Sequence, residues 1–592
     1  MEPGQPRGEM SSQTSTPAQG LRIRRFVGPA VYFLGLAIAA TWPLFLHMSN
    51  EIVGQYGDNL YFIWLIGWTK HALLDLHVSP LFTTMLNYPQ GWYLASTELS
   101  PAQVLPALPF SAAGPVFGYN LVAIASFVLS GLIPCLWVTH RTQDVWAGVI
   151  AGTAFAFVPY RFSHFLVGHL NLMGTQWLVL YFMALSLVLD RREASVAWCV
   201  ATAASLALVG LTSMYYLYMA VVLTVFFVLG YVLLVVPGSL RQRWLWRRLA
   251  GTFGLALPLV SVVVLPSLVA ARAGTLPMRA SGFSSPYSAS PTDYLLPFTG
   301  HPLWGAWVGA HFERDYWIEA SLYLGVVASA LALVAVVVGV RKRGDRRATL
   351  HLLGMALVSF VLSLGLTLNW LSRPVSLHLP PWLTWLKSPD GQLLLPGALL
   401  YRYLPFYSSM RVWMRYGVFA NLFVDVLAGS GAAWLIRRSG PKLRHFVAVF
   451  LLGLVILDFL PPRIHLTEVA ARPVDRWIGQ QQEEGGVAQL PFAEAAHSQA
   501  QIYYTLTRGR PYIGALYGSF PTSQYAEVRP VLERFPSAES IALLRDLGVR
   551  YVIVDAEWFD SRDELDDVHI ALTRQRYRRT VALAGQYVYV LE

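Results

Sequence analysis

The residues whose types could support chemistry lie in polar connections between long apolar runs. The first long connection, residues 48–117, contains two candidate carboxylates, Asp58 and Glu98. Asp58 begins an aromatic stretch with helical spacing that includes Tyr61, so it could cap the start of that helix. A carboxylate here could also accept a proton from a substrate hydroxyl, and the two roles are compatible. Glu98 could be a second such carboxylate or a solvated loop residue.

A second polar cluster interrupts the apolar sequence between two predicted spans. It contains Arg161, His164, His169 and Asn171. The guanidinium of Arg161 has the fork geometry that binds phosphate. The two histidines are five residues apart, which would separate them around one regular helix, so the spacing does not favour a shared metal ion. Histidines that are only hydrogen-bonded at the membrane interface are the alternative interpretation.

Charged residues also lie at the ends of later spans. Arg411 and Arg415 have the spacing that shares one helix face. They could hold a phosphate or extend to lipid headgroups. Glu319 lies at the mouth of a span, where a carboxylate is costly unless it is paired or faces a wet cavity. Asp425, near the middle of a span, is expected to face the bundle interior, and a proton relay is one role open to it.

Composition indicates that membrane-spanning helices position these residues. Of 592 residues, 55% are hydrophobic and 13% are charged, whereas soluble proteins have about 25% charged residues. The apolar runs are about 20 residues long, enough to cross a hydrocarbon layer about 30 Å thick. We therefore predict an all-α polytopic membrane bundle of about eleven helices. The predicted spans are 26–47, 118–138, 145–159, 173–189, 196–212, 216–235, 250–270, 318–340, 349–369, 413–435 and 446–460.

The distribution of basic residues predicts the orientation. If the N-terminus is cytoplasmic, every inside connection carries Arg or Lys, at 141, 191–192, 241–248, 341–347 and 437–444. The outer connections are longer and carry fewer basic residues, which follows the positive-inside rule. This clustering also explains the net charge of +10 without a nucleic-acid partner. We predict a multi-pass protein of the bacterial cytoplasmic (inner) membrane.

The same layout predicts three regions. Residues 1–20 are polar and form a disordered cytoplasmic tail, and residues 21–460 form the membrane domain. Its outer loops, 48–117, 271–317 and 370–412, are long, and long loops are often functional. An odd number of spans places residues 461–592 outside, where a helix ending at Gly548, a buried strand and a closing hairpin predict a small α/β domain.

Several motifs are absent from the sequence. It contains no Walker A loop, no Gly-rich dinucleotide fingerprint and no His-Glu-x-x-His. No nucleotide or flavin cofactor is therefore predicted, and the cofactor is unknown. A divalent metal ion is left open.

Local phrases of the chain resemble a bacterial branch of the C-type superfamily of integral-membrane glycosyltransferases. The first is Tyr56-Gly57-Asp58 followed by Tyr61 and Trp64. The others are Asn87-Tyr88-Pro89 with Gly91, Pro159-Tyr160-Arg161 with His164, Gly168-His169-Leu170-Asn171, Met410-Arg411-Val412 with Arg415-Tyr416-Gly417, and Leu547-Gly548-Val549-Arg550-Tyr551-Val552. The architecture, one span followed by a long loop opening with Asp and many further spans, resembles that superfamily as well.

The resemblance implies a function. Asp58 would be the catalytic base and a polyprenyl-phosphate sugar the donor, with a lipid, glycan or protein as acceptor and membrane lipids around it. Asn59 follows Asp58, so the chain lacks the adjacent acidic pair of some members. From the residues themselves, we expect Arg161 and one or both of Arg411 and Arg415 to hold the donor phosphate.

Two alternatives come from other classes of protein. A transporter or flippase of lipid-linked intermediates would depend more on Asp425 and Glu319 than on Asp58. A non-catalytic membrane assembly protein would keep the fold, and side chains would block its cavity near Asp58.

Overall fold

The helices follow the apolar runs of the sequence. The computed structural model describes residues 18–190, 195–272, 285–342, 345–376, 378, 380–388, 391–492, 495–517, 521–559 and 561–591. Most of the predicted tail, residues 1–17, and residues 273–284 of the predicted 271–317 loop lie outside this description.

The first half of the chain is helical apart from its connections. Its helices are α1 (Ala18–Ala40), α2 (Asp58–Lys70), α3 (Pro101–Ala107), α4 (Pro115–Thr142), α5 (Val145–Ala156), α6 (Pro159–Leu166), α7 (Leu170–Met173), α8 (Gln176–Leu189), α9 (Val196–Thr212), α10 (Met214–Gly230) and α11 (Arg243–Arg272).

The second half contains both long and short helices. They are α12 (Gly305–His311), α13 (Trp317–Ala320), α14 (Val326–Arg341), α15 (Arg346–Ser363), α16 (Pro396–Tyr403), α17 (Gly417–Arg438), α18 (Gly440–Asp458), α19 (Pro473–Gly479), α20 (Ala495–Arg508), α21 (Ser523–Leu532), α22 (Ala538–Asp546) and α23 (Arg562–Arg574).

A helix lies at each of the eleven predicted spans. Seven helical stretches in the described part of the chain are long and apolar enough to cross a membrane: Pro115–Thr142, Val145–Leu166, Leu170–Leu189, Met214–Val235, Arg243–Val269, Met414–Arg438 and Gly440–Asp458. Three shorter apolar helices are Phe26–Ala40, Val196–Thr212 and Val326–Arg341. The chain is a multi-pass helical membrane protein, and the number of eleven spans remains a prediction.

Helix α17 lies at the centre of the bundle and packs against α5, α14, α15 and α18. Small residues permit this close packing, as is common between membrane helices. A Cβ on Gly431 would lie 1.9 Å from the carbonyl oxygen of Leu331. In contrast, α11 exposes large apolar side chains such as Leu257 and Val262, which marks its outward face as the lipid-facing one.

The remaining structure contains short strands. Strand β1 (Glu51–Val53) pairs antiparallel with β6 (Leu466–Glu468), which joins the first connection to the segment after α18. Two isolated hairpins are β2 (Phe82–Thr83) with β3 (Trp92–Tyr93), and β4 (Asn369–Trp370) with β5 (Arg373–Pro374).

A four-stranded sheet lies in the C-terminal segment. Its order is β7–β8–β10–β9, formed by β7 (Gly486–Leu490), β8 (Val549–Asp555), β9 (Tyr577–Leu583) and β10 (Gln586–Leu591). β7 and β8 are parallel, and the other pairs are antiparallel. Gly548, at φ +67°, turns the chain from α22 into β8, a backbone conformation that favours glycine. Helix α20 of this segment packs on α2, which brings the C-terminal segment to the Asp58 end of the bundle.

Candidate active site

The start of α2 positions Asp58. Asp58 is the first residue of the helix, and Gly57 rather than Asp58 is its N-cap, so the predicted capping role is wrong. The positive end of the helix dipole still favours a carboxylate at this position. Gly168, at φ +79°, lies against α2, because a Cβ there would be 2.2 Å from the backbone nitrogen of Asn59. This close approach places the following residue, His169, beside Asp58.

Three side chains contact the Asp58 carboxylate. Tyr517 donates from its hydroxyl to Oδ2 at 3.3 Å, and Gln499 donates from Nε2 to Oδ1 at 3.4 Å. His169 Nε2 lies 3.4 Å from Oδ2. The Tyr517 ring stacks on Tyr61 with centroids 3.5 Å apart. The Asp58 side chain keeps 27% of its surface exposed, so a substrate can still reach it.

Tyr61 is therefore a supporting residue of the site. Its hydroxyl and Thr97 Oγ1 are hydrogen-bonded at 2.6 Å. Its ring is fully buried under Tyr517. Burial raises the pKa of Tyr61, and the hydrogen bond to Thr97 only partly opposes this. Tyr61 thus stays neutral and contributes shape rather than charge.

A chain of contacts runs from Asp58 to a buried arginine. The Nδ1 atoms of His169 and His164 are 2.7 Å apart, within hydrogen-bonding distance. His164 Nε2 lies 3.6 Å from Glu319 Oε2. Arg415 then donates to both oxygens of Glu319, from Nε at 3.1 Å and from Nη2 at 2.5 Å. Asp58, both imidazoles, Glu319 and Arg415 thus form one line of polar contacts, here called the polar relay, in which the 3.6 Å contact of His164 Nε2 is longer than a hydrogen bond.

The two histidines lie side by side, so the expectation that their spacing would separate them is wrong. That expectation assumed one regular helix, but α6 ends at Leu166 and Gly168 reverses the chain. The backbone nitrogen of His169 then donates to the carbonyl of His164 at 2.9 Å, which folds one imidazole back onto the other.

Burial and neighbouring charges set the protonation of these groups. Burial alone would raise the pKa of Glu319, but the ion pair with Arg415 reverses this and lowers the pKa, so Glu319 is an anion. Burial lowers the pKa of His169, although Asp58 and Glu319 oppose the shift. Burial raises the pKa of Glu98, with Arg415 and Asn171 acting in the opposite direction. Glu98 thus holds its proton to a higher pH than an ordinary glutamate.

A cavity of about 410 Å³ opens onto this relay. Its polar lining contains the two predicted loop carboxylates, the two arginines predicted at the start of the tenth span, and two residues of the connector: Asp58, Glu98, Arg411, Arg415, His169 and Asn171. The rest of its lining is largely apolar and aromatic, formed by residues that include Met214, Tyr215, Tyr218, Phe406 and Met410, with Ser267 of α11. The cavity therefore combines carboxylates and guanidiniums with an apolar surface that borders a lipid-facing helix.

Arg161 does not belong to this cavity. It is fully buried, and it donates to the carbonyls of Ala156 at 3.1 Å and Met173 at 3.0 Å. Its guanidinium lies 4.4 Å from the centre of the Phe127 ring. Carbonyls at helix C-termini lack partners within their helix, and Arg161 satisfies those of α5 and α7. The phosphate-binding role predicted for it is replaced by a structural one.

Asp425 also lies away from the cavity. It is buried in the bundle interior, as predicted, and its Oδ2 has no hydrogen-bond partner among the described residues. It does not line the cavity.

Sequence reasoning missed Tyr517 and Gln499. Both contact Asp58, yet each lies more than 400 positions away along the chain. Neither belongs to a recognisable motif, so no local signal could have identified them.

His164, His169 and Glu319 lie close enough together to be considered as metal ligands. Their ligand atoms lie within 4.8 Å of one another, and imidazole and carboxylate donors suit zinc. However, the two imidazoles are hydrogen-bonded to each other, and Arg415 occupies both oxygens of Glu319. A cation would have to displace a buried guanidinium, so these donors fit a metal ion poorly as they are arranged.

Comparisons with known proteins identify the fold. Residues 31–389 match the model of a family described as "Domain of unknown function (DUF6311)". No curated protein sequence matches the chain. Arabinofuranosyltransferase AftD from Mycobacteria is similar with a TM-score of 0.59 and 14% identity over 98% of this chain. This chain covers 40% of the AftD chain.

A second similar structure is the apo oligosaccharyltransferase of Archaeoglobus fulgidus. Its TM-score is 0.53 at 14% identity, covering 96% of this chain and 74% of that one. The predicted resemblance to the C-type membrane glycosyltransferases is thereby confirmed for the fold.

Proposed function

The chain belongs to the DUF6311 family, and from its C-type glycosyltransferase fold we propose that it transfers a sugar from a polyprenyl-phosphate donor to an acceptor. The acceptor would be a lipid, glycan or protein, reached on the outer face of the bacterial cytoplasmic membrane. One observation carries the proposal: a single cavity is lined by the carboxylate Asp58 and by the guanidiniums of Arg411 and Arg415.

The donor would bind in this cavity. Arg411 and Arg415 would hold its phosphate through charge-assisted hydrogen bonds. The prenyl chain would lie along the apolar lining near Tyr218 and Ser267, from which it can pass into the membrane beside α11. This arrangement needs no water-filled route for the lipid.

Asp58 would act as the general base. It takes the proton of an acceptor hydroxyl while that oxygen attacks the anomeric carbon. The bond between this carbon and the phosphate oxygen breaks, and its electron pair leaves on the phosphate. Attack opposite the leaving group inverts the anomeric configuration. His169, Gln499 and Tyr517 orient the carboxylate for this step.

Glu98 would serve as the second carboxyl group of the site. It lines the same cavity and interacts with Asn171. Because burial raises its pKa, it is suited to hydrogen-bond a substrate hydroxyl rather than to compete with Asp58 as the base.

The open cavity favours this function over a non-catalytic assembly protein, for which side chains would fill the space beside Asp58. The position of Asp425 outside the cavity gives no support to a transport route through this site.

The experiment compares Asp58→Asn with Asp75→Asn. Asp75 follows the same helix but is 61% exposed and pairs with His71. Membranes containing each variant are incubated with a panel of undecaprenyl-phosphate sugars labelled in the sugar, and label transfer to endogenous acceptors is measured. Loss of the base should slow transfer by about 100-fold or more, while Asp75→Asn keeps the native rate. Full activity of Asp58→Asn would refute the assigned role.

A further inference from the structure

His164 belongs to the polar relay but lies deeper in the protein than the residues that reach a substrate. It is fully buried, whereas Asp58 and His169 line the cavity. The Tyr160 ring packs edge-on against its imidazole, with centroids 4.3 Å apart, and its carbonyl accepts from the backbone nitrogen of His169 at 2.9 Å. These contacts hold its Nδ1 atom 2.7 Å from Nδ1 of His169.

A hydrogen bond between two Nδ1 atoms restricts where the protons of the two rings lie, because one atom must donate and the other must accept. Burial lowers the pKa of His169, so its ring is neutral and carries one proton near neutral pH. If that proton were on Nδ1, the lone pair of Nε2 would face Asp58 Oδ2, 3.4 Å away. If His164 donates instead, His169 keeps its proton on Nε2, the nitrogen nearest Asp58. An ionised Asp58, which a general base must be, favours this second arrangement.

The other end of the pair competes weakly for an N–H group. His164 Nε2 lies 3.6 Å from Glu319 Oε2, which is longer than a hydrogen bond. Both oxygens of Glu319 already accept from Arg415, at 3.1 Å and 2.5 Å. The two hydrogen bonds that Asp58 accepts are longer, at 3.3 Å and 3.4 Å. Asp58 therefore gains more than Glu319 from an N–H group that faces it.

We infer that His164 is a positioning residue that donates from Nδ1 to His169 and so keeps the proton of His169 on Nε2, beside the Asp58 carboxylate. The inference rests on the proposed function and deepens it, because it adds a residue that acts on the base without contacting it. A proton held on Nε2 stabilises the ionised, oriented form of Asp58. The absence of this proton would change the rate of transfer and leave the binding of the donor unchanged.

The position of the proton is measured on the native chain. The purified full chain with isotope-labelled histidine is studied in nanodiscs near neutral pH by solid-state NMR, in which protonated and bare imidazole nitrogens have different chemical shifts. A correlation across the hydrogen bond between two imidazoles selects the pair, and the signals lost in His169→Asn identify His169. Its Nε2 should be protonated and its Nδ1 bare. A proton on Nδ1 of His169, with or without one on Nε2, overturns the inference.

His164→Leu and His164→Asn separate a positioning role from packing. The two new side chains have nearly the same size and shape, but only the amide of Asn can donate to Nδ1 of His169. In His164→Leu, the maximal rate of labelled-sugar transfer should fall about tenfold to a hundredfold, the scale of a lost hydrogen bond to a charged group, at an unchanged half-saturating donor concentration. His164→Asn should recover most of this loss and the native His169 signals. Equal rates in the two variants would overturn the inference, because packing alone would then explain the loss.

The matched control is His351→Leu, which removes another buried histidine of the bundle. His351 packs against the Phe227 ring, with centroids 4.6 Å apart, and it does not belong to the polar relay. This variant should keep the native transfer rate and the native His169 signals. Failure of the native chain to transfer sugar from every labelled donor overturns the proposed function. A proton on Nδ1 of His169 in a chain that does transfer sugar overturns the inference alone, and that measurement does not require a His164 variant to fold.

Discussion

Two buried networks of arginine and carboxylate in this chain have the same chemistry and different surroundings. In the C-terminal segment, Asp475 accepts from Arg472 Nε at 2.6 Å and from Arg508 Nη1 at 3.2 Å. Asp555 lies 3.9 Å from Arg472, so two guanidiniums meet two carboxylates. Asp475 and Arg508 are completely buried, and this network joins α19, α20 and β8.

The network beside the cavity is not closed in this way. Asp58 at one end keeps part of its surface exposed, and Arg415 at the other borders the cavity. Ion pairs in a closed network can only hold elements together. Ion pairs that border the cavity can also contact a ligand. This access distinguishes a functional network from a structural one.

The largest expected effect comes from breaking the closed network. Asp475→Asn removes the carboxylate that Arg472 and the fully buried Arg508 share, so the free energy of unfolding should fall by about 3–5 kcal/mol. Denaturant titration of the purified chain in detergent measures this. Glu483→Gln removes an ion pair to Arg550 whose glutamate is 58% exposed and should change stability by about 0–1 kcal/mol. Similar losses in both variants would contradict the comparison.

Variants of Arg161 and Arg411 distinguish an arginine with a structural role from one that binds the ligand. Arg161→Met removes two hydrogen bonds to buried carbonyls and should lower the free energy of unfolding by about 2–4 kcal/mol. The folded fraction should bind the methyl phosphodiester of undecaprenol with native affinity. Arg411→Met should weaken that binding about tenfold or more, since a charge-assisted hydrogen bond is lost. Reduced affinity in folded Arg161→Met would restore the phosphate-binding role.

Tyr517→Phe tests whether the C-terminal segment orients the base. The substitution removes the hydroxyl that donates to Asp58 Oδ2 at 3.3 Å, and it leaves the contacts of Asp58 with His169 and Gln499 unchanged. The carboxylate is then less firmly oriented, so labelled-sugar transfer in membranes should slow about fivefold to tenfold.

The matched control is Tyr551→Phe, because the Tyr551 hydroxyl donates to the carbonyl of Glu483 at 2.8 Å, within the C-terminal segment. Sugar transfer should keep the native rate in this control. A native transfer rate in Tyr517→Phe would show that the contact is incidental.

The smallest effect is the pH dependence contributed by Glu98. Its pKa is raised in the folded chain, so the folded state binds this proton more tightly than the unfolded state, and stability falls as pH rises through the interval between the two pKa values. Glu98→Gln removes this penalty. Its apparent Tm should match the native value below about pH 4 and exceed it by about 1–2 °C at neutral pH. A constant difference at every pH would contradict the assignment.

Local sequence rules predicted a large share of this molecule. Runs of apolar residues long enough to span a membrane predicted where the helices lie, because burial in hydrocarbon depends mainly on length and composition. The position of Asp58 at the start of a helix also followed from the sequence. Arg411 and Arg415 were expected to share one helix face, but the long helix begins only at Gly417. All three line one cavity.

Only the tertiary structure decided which polar residues meet. The sequence could not show that Arg161 turns inward to helix-end carbonyls, because that depends on where α5 and α7 end relative to each other. It could not show that a reversal at Gly168 joins the two histidines, or that Tyr517 and Gln499 reach Asp58. Hydrogen bonds and ion pairs act over a few ångströms, so residues hundreds of positions apart gain their roles only when packing brings them together.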